Sequence, residues 1–271
     1  MSFQSHHDGD ALATPAEHWI DHAAGRLFAR VWAGADPAAL PIVMLHDSLG
    51  AVALWRDFPA ALCAATGRGI IAYDRLGYGR SDPAPGPPPL DFIATEADGA
   101  FARVCNVLGI RRFVVLGHSV GGGMAVHVAA RQPARCVALV TMAAQAFVED
   151  RTRAGIREAQ AVFADPQQVE RLVRYHGDKA RWVLDAWIDT WLSPAFDTWS
   201  LDAVLGGVAC PALIMHGDED EYGSVAHPRR IAEGIGAHAR LEVMDDTRHM
   251  PHRERPDAVI DRIAAFLREV E

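Results

Sequence analysis

Read for apolar periodicity, the chain opens with two short segments, Glu17 to His22 and Leu27 to Trp32, that meet at Ala24-Gly25 and predict a pair of strands. A different rhythm then begins. Ile42-Val43-Met44-Leu45 is a continuous apolar run, followed by a helical pattern from Ala51 to Ala65. Gly69 to Tyr73 is the next short strand, and Asp91 to Leu108 reads as a helix ended by Gly109. Arg112 to Leu116 is a strand, Val120 to Arg131 a helix stopped near Pro133, and Cys136 to Met142 another strand. After a long gap come Ala212 to Met215 (strand), Val225 to Ile235 (helix), Arg240 to Met244 (strand) and Asp257 to Val270 (helix). Continuous apolar strands alternating with helices predict an α/β fold, a mainly parallel sheet covered by helices on both faces.

The gap, residues 144–207, is helical in composition and has no obvious strand. It holds Trp182, Trp187, Trp191 and Trp199, with Phe147, Phe163, Tyr175 and Phe196. It reads as a helical cap inserted into a core made of residues 1–143 and 208–271. Most of its aromatics must pack the cap onto the core. An insertion at the C-terminal edge of the strands also overlies the usual ligand crevice of open α/β sheets. Trp187 and Trp191, together with His118, are therefore the candidates to contact a substrate. Asp82 to Leu90, with five prolines, predicts a stiff exposed loop.

Composition narrows the partners. Half of the 271 residues are apolar and 23% are charged, as in ordinary globular proteins. The formal net charge is -9 and no basic stripe occurs, which argues against nucleic acid as a partner; the acidic balance does not by itself choose a substrate. No stretch approaches the roughly 18 apolar residues of a membrane span. Met1 to Asp10 lacks the basic start and apolar run of a signal peptide. His6-His7-Asp8 reads as a polar N-terminal patch. Cys63, Cys105, Cys136 and Cys210 are widely spaced with no C-x-x-C pair, so buried reduced thiols and a cytoplasmic location are expected, with neither metal nor cofactor.

The candidate chemistry lies at Gly117-His118-Ser119-Val120-Gly121, a G-x-S-x-G pattern between a strand and a helix. A serine at such a sharp turn is held in a strained backbone conformation, needs small neighbours, and sits at the positive end of a helix. It is inert without a base. Among thirteen histidines, His249 lies after the strand ending at Met244 and before the last helix, where a base must be; His252 is the nearby competitor. The orienting acid belongs after the strand ending at Met215, within Asp218-Glu219-Asp220-Glu221. The turn at Gly217 favours Asp220 over Asp218. Glu149 or Asp150, after the strand ending at Met142, is the alternative. Protonation of His249 near its reference pKa of about 6.5 should then switch activity off.

Four motifs coincide along the chain: Leu45-His46-Asp47-Ser48-Leu49-Gly50, Asp74-Arg75-Leu76-Gly77-Tyr78-Gly79-Arg80-Ser81, Gly117 to Gly121, and His216-Gly217-Asp218-Glu219-Asp220. With Arg248-His249 they resemble the α/β-hydrolase superfamily, in particular its capped esterases, enol-lactonases and carbon–carbon bond hydrolases. The resemblance implies an eight-stranded sheet. It also implies Asp220 as the acid, the third residue after the glycine of the H-G motif, and an oxyanion hole from the backbone N–H groups of Ser48 and Val120. The activity implied is hydrolysis of a small-molecule substrate, a small to medium carboxylic ester or lactone, through an acyl-enzyme. Carbon–carbon hydrolase, acyltransferase and perhydrolase chemistry use the same triad, and a ligand-sensing regulator could retain it. One departure stands out: many relatives read His-Gly where this chain reads His46-Asp47. An aspartate there would oppose the oxyanion unless turned away or tied up by hydrogen bonds.

Overall fold

A computed structural model describes residues 14–270. The patch His6-His7-Asp8 lies outside the described residues. Strand β1 (Ala16–His22) turns into β2 (Gly25–Trp32), the antiparallel start of one eight-stranded sheet. The chain then alternates through β3 (Ile42–Leu45), α1 (Phe58–Thr66) and β4 (Ile70–Tyr73). Helices α2 (Phe92–Thr95) and α3 (Ala100–Val107) lead to β5 (Phe113–His118), α4 (Val120–Arg131) and β6 (Cys136–Met142). Four helices follow: α5 (Asp150–Val162), α6 (Pro166–His176), α7 (Ala180–Trp191) and α8 (Asp202–Leu205). The chain returns through β7 (Ala212–Gly217), α9 (Ala226–Ile235), β8 (Ala239–Met244), α10 (Pro251–Glu254) and α11 (Pro256–Glu269). The strand order is β1-β2-β4-β3-β5-β6-β7-β8, with all pairs from β4 to β8 parallel.

The continuous apolar runs are strands with both faces covered. Along β3, Val43 and Leu45 point into one core cluster and Ile42 and Met44 into the other. The first cluster is closed by Phe101, Met124, Val128 and Ile231 from α3, α4 and α9. The second is closed by Leu62 of α1 and by Val259, Ile263 and Leu267 of α11. Each such side chain, at or near zero exposure, contributes about 1.5–3 kcal/mol of burial. That is why period-two alternation never showed in these strands.

Two expected helices are each broken in two. The segment from Ala51 forms one short turn, Val52 to Trp55, then reverses at Arg56, which has a positive φ of 53°, before α1 begins beside Pro59. Asp91 to Leu108 is interrupted at Gly99, where φ and ψ of -89° and -109° leave the helical region. Residues 144–207 carry no strand of the main sheet; one bridge pairs Phe147 with Ser200. All four cysteines are buried and free, as expected of reduced thiols. Sequence spacing gave no sign that Cys136 and Cys210 would lie with sulfurs 3.8 Å apart. No helix of the described residues is long and apolar enough to cross a membrane.

Candidate active site

The turn between β5 and α4 presents Ser119 at φ 55° and ψ -125°, a conformation that costs an L residue about 1–3 kcal/mol. Close packing fixes it. A Cβ on Gly117 would stand 2.0 Å from the Gly121 carbonyl oxygen, and one on Gly121 would stand 2.3 Å from that of Leu45. The Ser119 N–H is tied to the Met142 carbonyl at 2.9 Å. The hydroxyl therefore stands at the amino end of a twelve-residue helix, with β3 and β6 packed on either side.

His249 meets it. The Ser119 hydroxyl lies 3.0 Å from His249 Nε2, and His249 Nδ1 lies 2.9 and 2.8 Å from the two oxygens of Asp220. With Nδ1–H donating to the carboxylate, Nε2 is free to accept from the hydroxyl. Asp220 is fully buried and also accepts the N–H groups of Tyr222 (2.7 Å) and Gly223 (3.1 Å). His216 Nε2 approaches it at 3.3 Å. Burial pushes the Asp220 carboxyl up, but the charge and hydrogen bond of His249, helped by His216 and Tyr222, outweigh it and hold the group at about 2. Burial likewise pushes His249 down, and the carboxylates of Asp220, Glu221 and Asp47 outweigh it, so its pKa is raised above the ordinary 6.5. The acid limb of any His249-dependent activity therefore lies above the reference value expected from sequence.

The competing residues are placed elsewhere. Asp218 receives the Thr247 N–H at 3.4 Å, Glu219 is exposed, and Glu221 receives the His249 N–H at 3.2 Å and faces Arg248. Glu149 holds His227 and Ser224, away from His249. His252 packs on Trp55 and His118.

A cavity of about 310 Å³ opens over Ser119. Ser48 and the edge of the Asp47-to-Gly50 turn form one wall, and Ile156, Leu172, Trp187 and Trp191 of α5, α6 and α7 form the roof. Trp187 and Trp191 thus lie where substrate contact was expected. His118 does not: it is 1% exposed, outside this cavity, and its Nε2–H donates to the His249 carbonyl at 2.8 Å. His118 is the last residue of β5 and packs on Trp55 and His252, so it holds the His249 backbone instead of meeting a ligand. Burial takes its pKa down to about 4, so it stays neutral. The Val120 backbone directly follows Ser119, at the first position of α4.

Several lining residues were not foreseen. Gln145, just past the carboxyl end of β6, places its amide 3.4 Å from the Ser119 hydroxyl. Its position at a strand end was the only available signal. Tyr222, Thr152, Met250 and Arg253 also line the cavity, and no motif marked them.

A strained serine at a strand-to-helix turn, a histidine from the loop after the last strand and an acid after the preceding one define the α/β-hydrolase class of site. Residues 41–177 match the family model described as alpha/beta hydrolase fold, and the chain belongs to that family. The chain is similar to pig 1-acylglycerol-3-phosphate O-acyltransferase ABHD5, with 32% identity over 114 residues, covering 41% of this chain and 31% of that protein. It is similar to human serine hydrolase BPHL, with 29% identity over 191 residues, covering 68% of this chain and 64% of that protein. It therefore spans about a third of the first relative's length and just under two thirds of the second's. Its fold resembles proline iminopeptidase of Mycobacterium smegmatis, with a TM-score of 0.72, 25% identity, and 94% and 98% of the two chains covered.

Proposed function

We propose that the protein is a serine hydrolase that cleaves a small to medium carboxylic ester or lactone through an acyl-enzyme, with Ser119 as nucleophile, His249 as general base and Asp220 as its orienting acid. What carries the proposal is the hydrogen-bonded line from hydroxyl to imidazole to carboxylate, with contacts of 3.0 and 2.8 Å. His249 takes the hydroxyl proton as Ser119 attacks the carbonyl carbon. Asp220 stabilises the imidazolium so formed. The backbone N–H groups of Ser48 and Val120 receive the oxyanion, each worth about 3–4 kcal/mol by analogy with a studied protease. His249 then passes its proton to the leaving oxygen. A water molecule, deprotonated by the same nitrogen, hydrolyses the acyl-enzyme.

Residues 144–207 serve as a cap in this scheme: their helices supply the apolar roof that excludes bulk water from the reacting carbonyl. The cavity volume, with Ile156, Leu172, Trp187 and Trp191 in its roof, suits a compact apolar acyl or alcohol part. Four free buried thiols accord with a reducing, cytoplasmic setting.

The test is turnover of short p-nitrophenyl esters and simple lactones by the wild type and by Ser119→Ala. Steady turnover that falls at least about 1,000-fold in the variant supports the proposal. Equal turnover in both would overturn it, and a single slow turnover would favour a ligand-sensing protein.

A further inference from the structure

Asp47 is the residue that an oxyanion hole should not tolerate. Its backbone is firmly held: the Asp47 carbonyl accepts from His46 Nδ1–H (2.8 Å), Gly50 N–H (3.2 Å) and Arg75 Nη2 (2.9 Å), which fixes the turn that presents Ser48. Its carboxylate, by contrast, forms no hydrogen bond or ion pair among the described residues. It borders the catalytic cavity on one side and a second, much smaller cavity of about 10 Å³ on the other. An uncompensated negative charge at this place would raise the energy of the tetrahedral oxyanion.

The small cavity has a mixed lining in which Ala51, Leu54 and Met250 stand beside polar side chains. Trp55 Nε1, His252 Nδ1 and Arg253 Nε, from three side chains lining it, are all buried and lack a hydrogen-bond partner among the described residues. The indole and guanidinium nitrogens can only donate. Arg253 is anchored by Nη2 donating to the Leu54 carbonyl at 2.6 Å, so its position does not depend on a substrate. A space of this size admits about one water molecule, and such a molecule needs two to four polar partners. Trp55 and Arg253, each with a buried unpaired N–H, and Asp47 all line this cavity, which supplies that number of partners.

We infer that Arg253 is the counter-charge of Asp47: through one water in the small cavity, its Nε–H and the indole N–H of Trp55 hold the Asp47 carboxylate and draw its charge away from the oxyanion hole. Arg253 is a positioning residue in this role, and the inference rests on Ser48 and Val120 being the oxyanion donors. The other charges around Asp47 do not serve. His46, His118 and His252 are kept neutral by burial, and His176 is pushed the same way. Arg75 meets the backbone carbonyl and lies over the ring of Tyr78 at 4.1 Å, with Glu96 among its charged neighbours. The desolvation that weakens the Arg253 charge is opposed by Asp47.

The test is a double-substitution cycle read in kcat, KM and the His249 pKa. Arg253→Met should lower kcat by about 30-fold or more while KM changes less than about 3-fold, because the unmasked acid acts on the transition state. Arg253→Lys, which keeps the charge, should stay within about 5-fold of the wild type. Asp47→Asn in the Arg253→Met background should restore kcat to within about 5-fold. His249 faces Asp220, Glu221, Asp47 and His118. Its pKa, followed by NMR, should rise by about half a unit in Arg253→Met and return in the double variant. A double variant as slow as Arg253→Met alone would mean that Arg253 only packs, and the inference would fail. So would a His249 pKa that ignores Arg253→Met. If Arg253→Met does not fold, folding of the double variant supports the inference and its failure to fold overturns it. Absence of wild-type ester turnover counts against the proposed activity alone, since the NMR titration still decides the Asp47–Arg253 pairing.

Discussion

Replacing Asp220 by asparagine keeps the shape of the side chain and removes its charge. Two effects then add. The first is electrostatic. The carboxyl is fully buried yet held at about 2, against an ordinary 3.8. At about 1.4 kcal/mol per pH unit, its surroundings favour the anion by about 2–3 kcal/mol, even after the opposing cost of burial. Most of that comes from His249, so stabilisation of the imidazolium falls by a comparable amount, about 100-fold in rate. The second is tautomeric. An amide that turns its NH2 group toward Nδ1 forces the proton onto Nε2, which can then no longer accept from Ser119 at 3.0 Å. Together the loss in kcat should reach about 1,000- to 10,000-fold, the upper end matching the roughly 10,000-fold seen for the same change in a studied protease. Steady-state ester hydrolysis from pH 5 to 9 measures it. The wild-type kcat/KM should fall as pH drops through the raised His249 value, above 6.5, and the residual activity of the variant should hold to lower pH. A loss below about 10-fold with an unmoved acid limb would refute the reasoning.

Other outcomes follow from the same coordinates. Gly121→Ala puts a Cβ 2.3 Å from a backbone oxygen, so it should destabilise the fold by about 2 kcal/mol or more, read as a fall in Tm, and cut activity with it. Because the folded pKa of Asp220 is depressed, its contribution to stability is present above 3.8 and lost as pH falls toward about 2. Denaturant titrations should show about 2 kcal/mol of acid-induced loss over that window that Asp220→Asn lacks. Ile156→Ala should enlarge the roof and shift kcat/KM toward longer acyl chains by about 10-fold; an unchanged chain-length profile would remove α5 from the substrate wall. A thiol reagent should find none of the four cysteines in the native protein and all four in guanidinium, because all are buried and free.

The parallel strands were legible because they are short, apolar without interruption and punctuated by helices, a pattern that leaves few arrangements. Ser119 was legible because its glycine neighbours are demanded by backbone contacts of 2.0–2.3 Å, which allow little else. His249 followed from chain order alone. Asp220 was favoured by the turn at Gly217 and supported by the family resemblance: four acids stand in a row, and what separates them is which one the turn after β7 buries against the imidazole. The helix breaks at Arg56 and Gly99 were missed although Pro59 and Gly99, both poor in helix interiors, mark them in the sequence. His118 was misjudged because flanking the nucleophile in sequence says nothing of which side of the sheet edge a ring takes. Gln145, Tyr222 and Arg253 reach the cavity from three separate loops or short helices, and only the fold brings them together.

The most direct measurement is reaction with a fluorophosphonate, which leaves a stable phosphonyl ester on a serine activated by a neighbouring base. Peptide mapping by mass spectrometry should find one equivalent of adduct on Ser119, formed at a rate that falls as His249 gains its proton and that collapses in His249→Ala. An adduct on a different residue, or labelling of Ser119 at the wild-type rate without His249, would contradict the proposed proton-transfer line from Ser119 through His249 to Asp220.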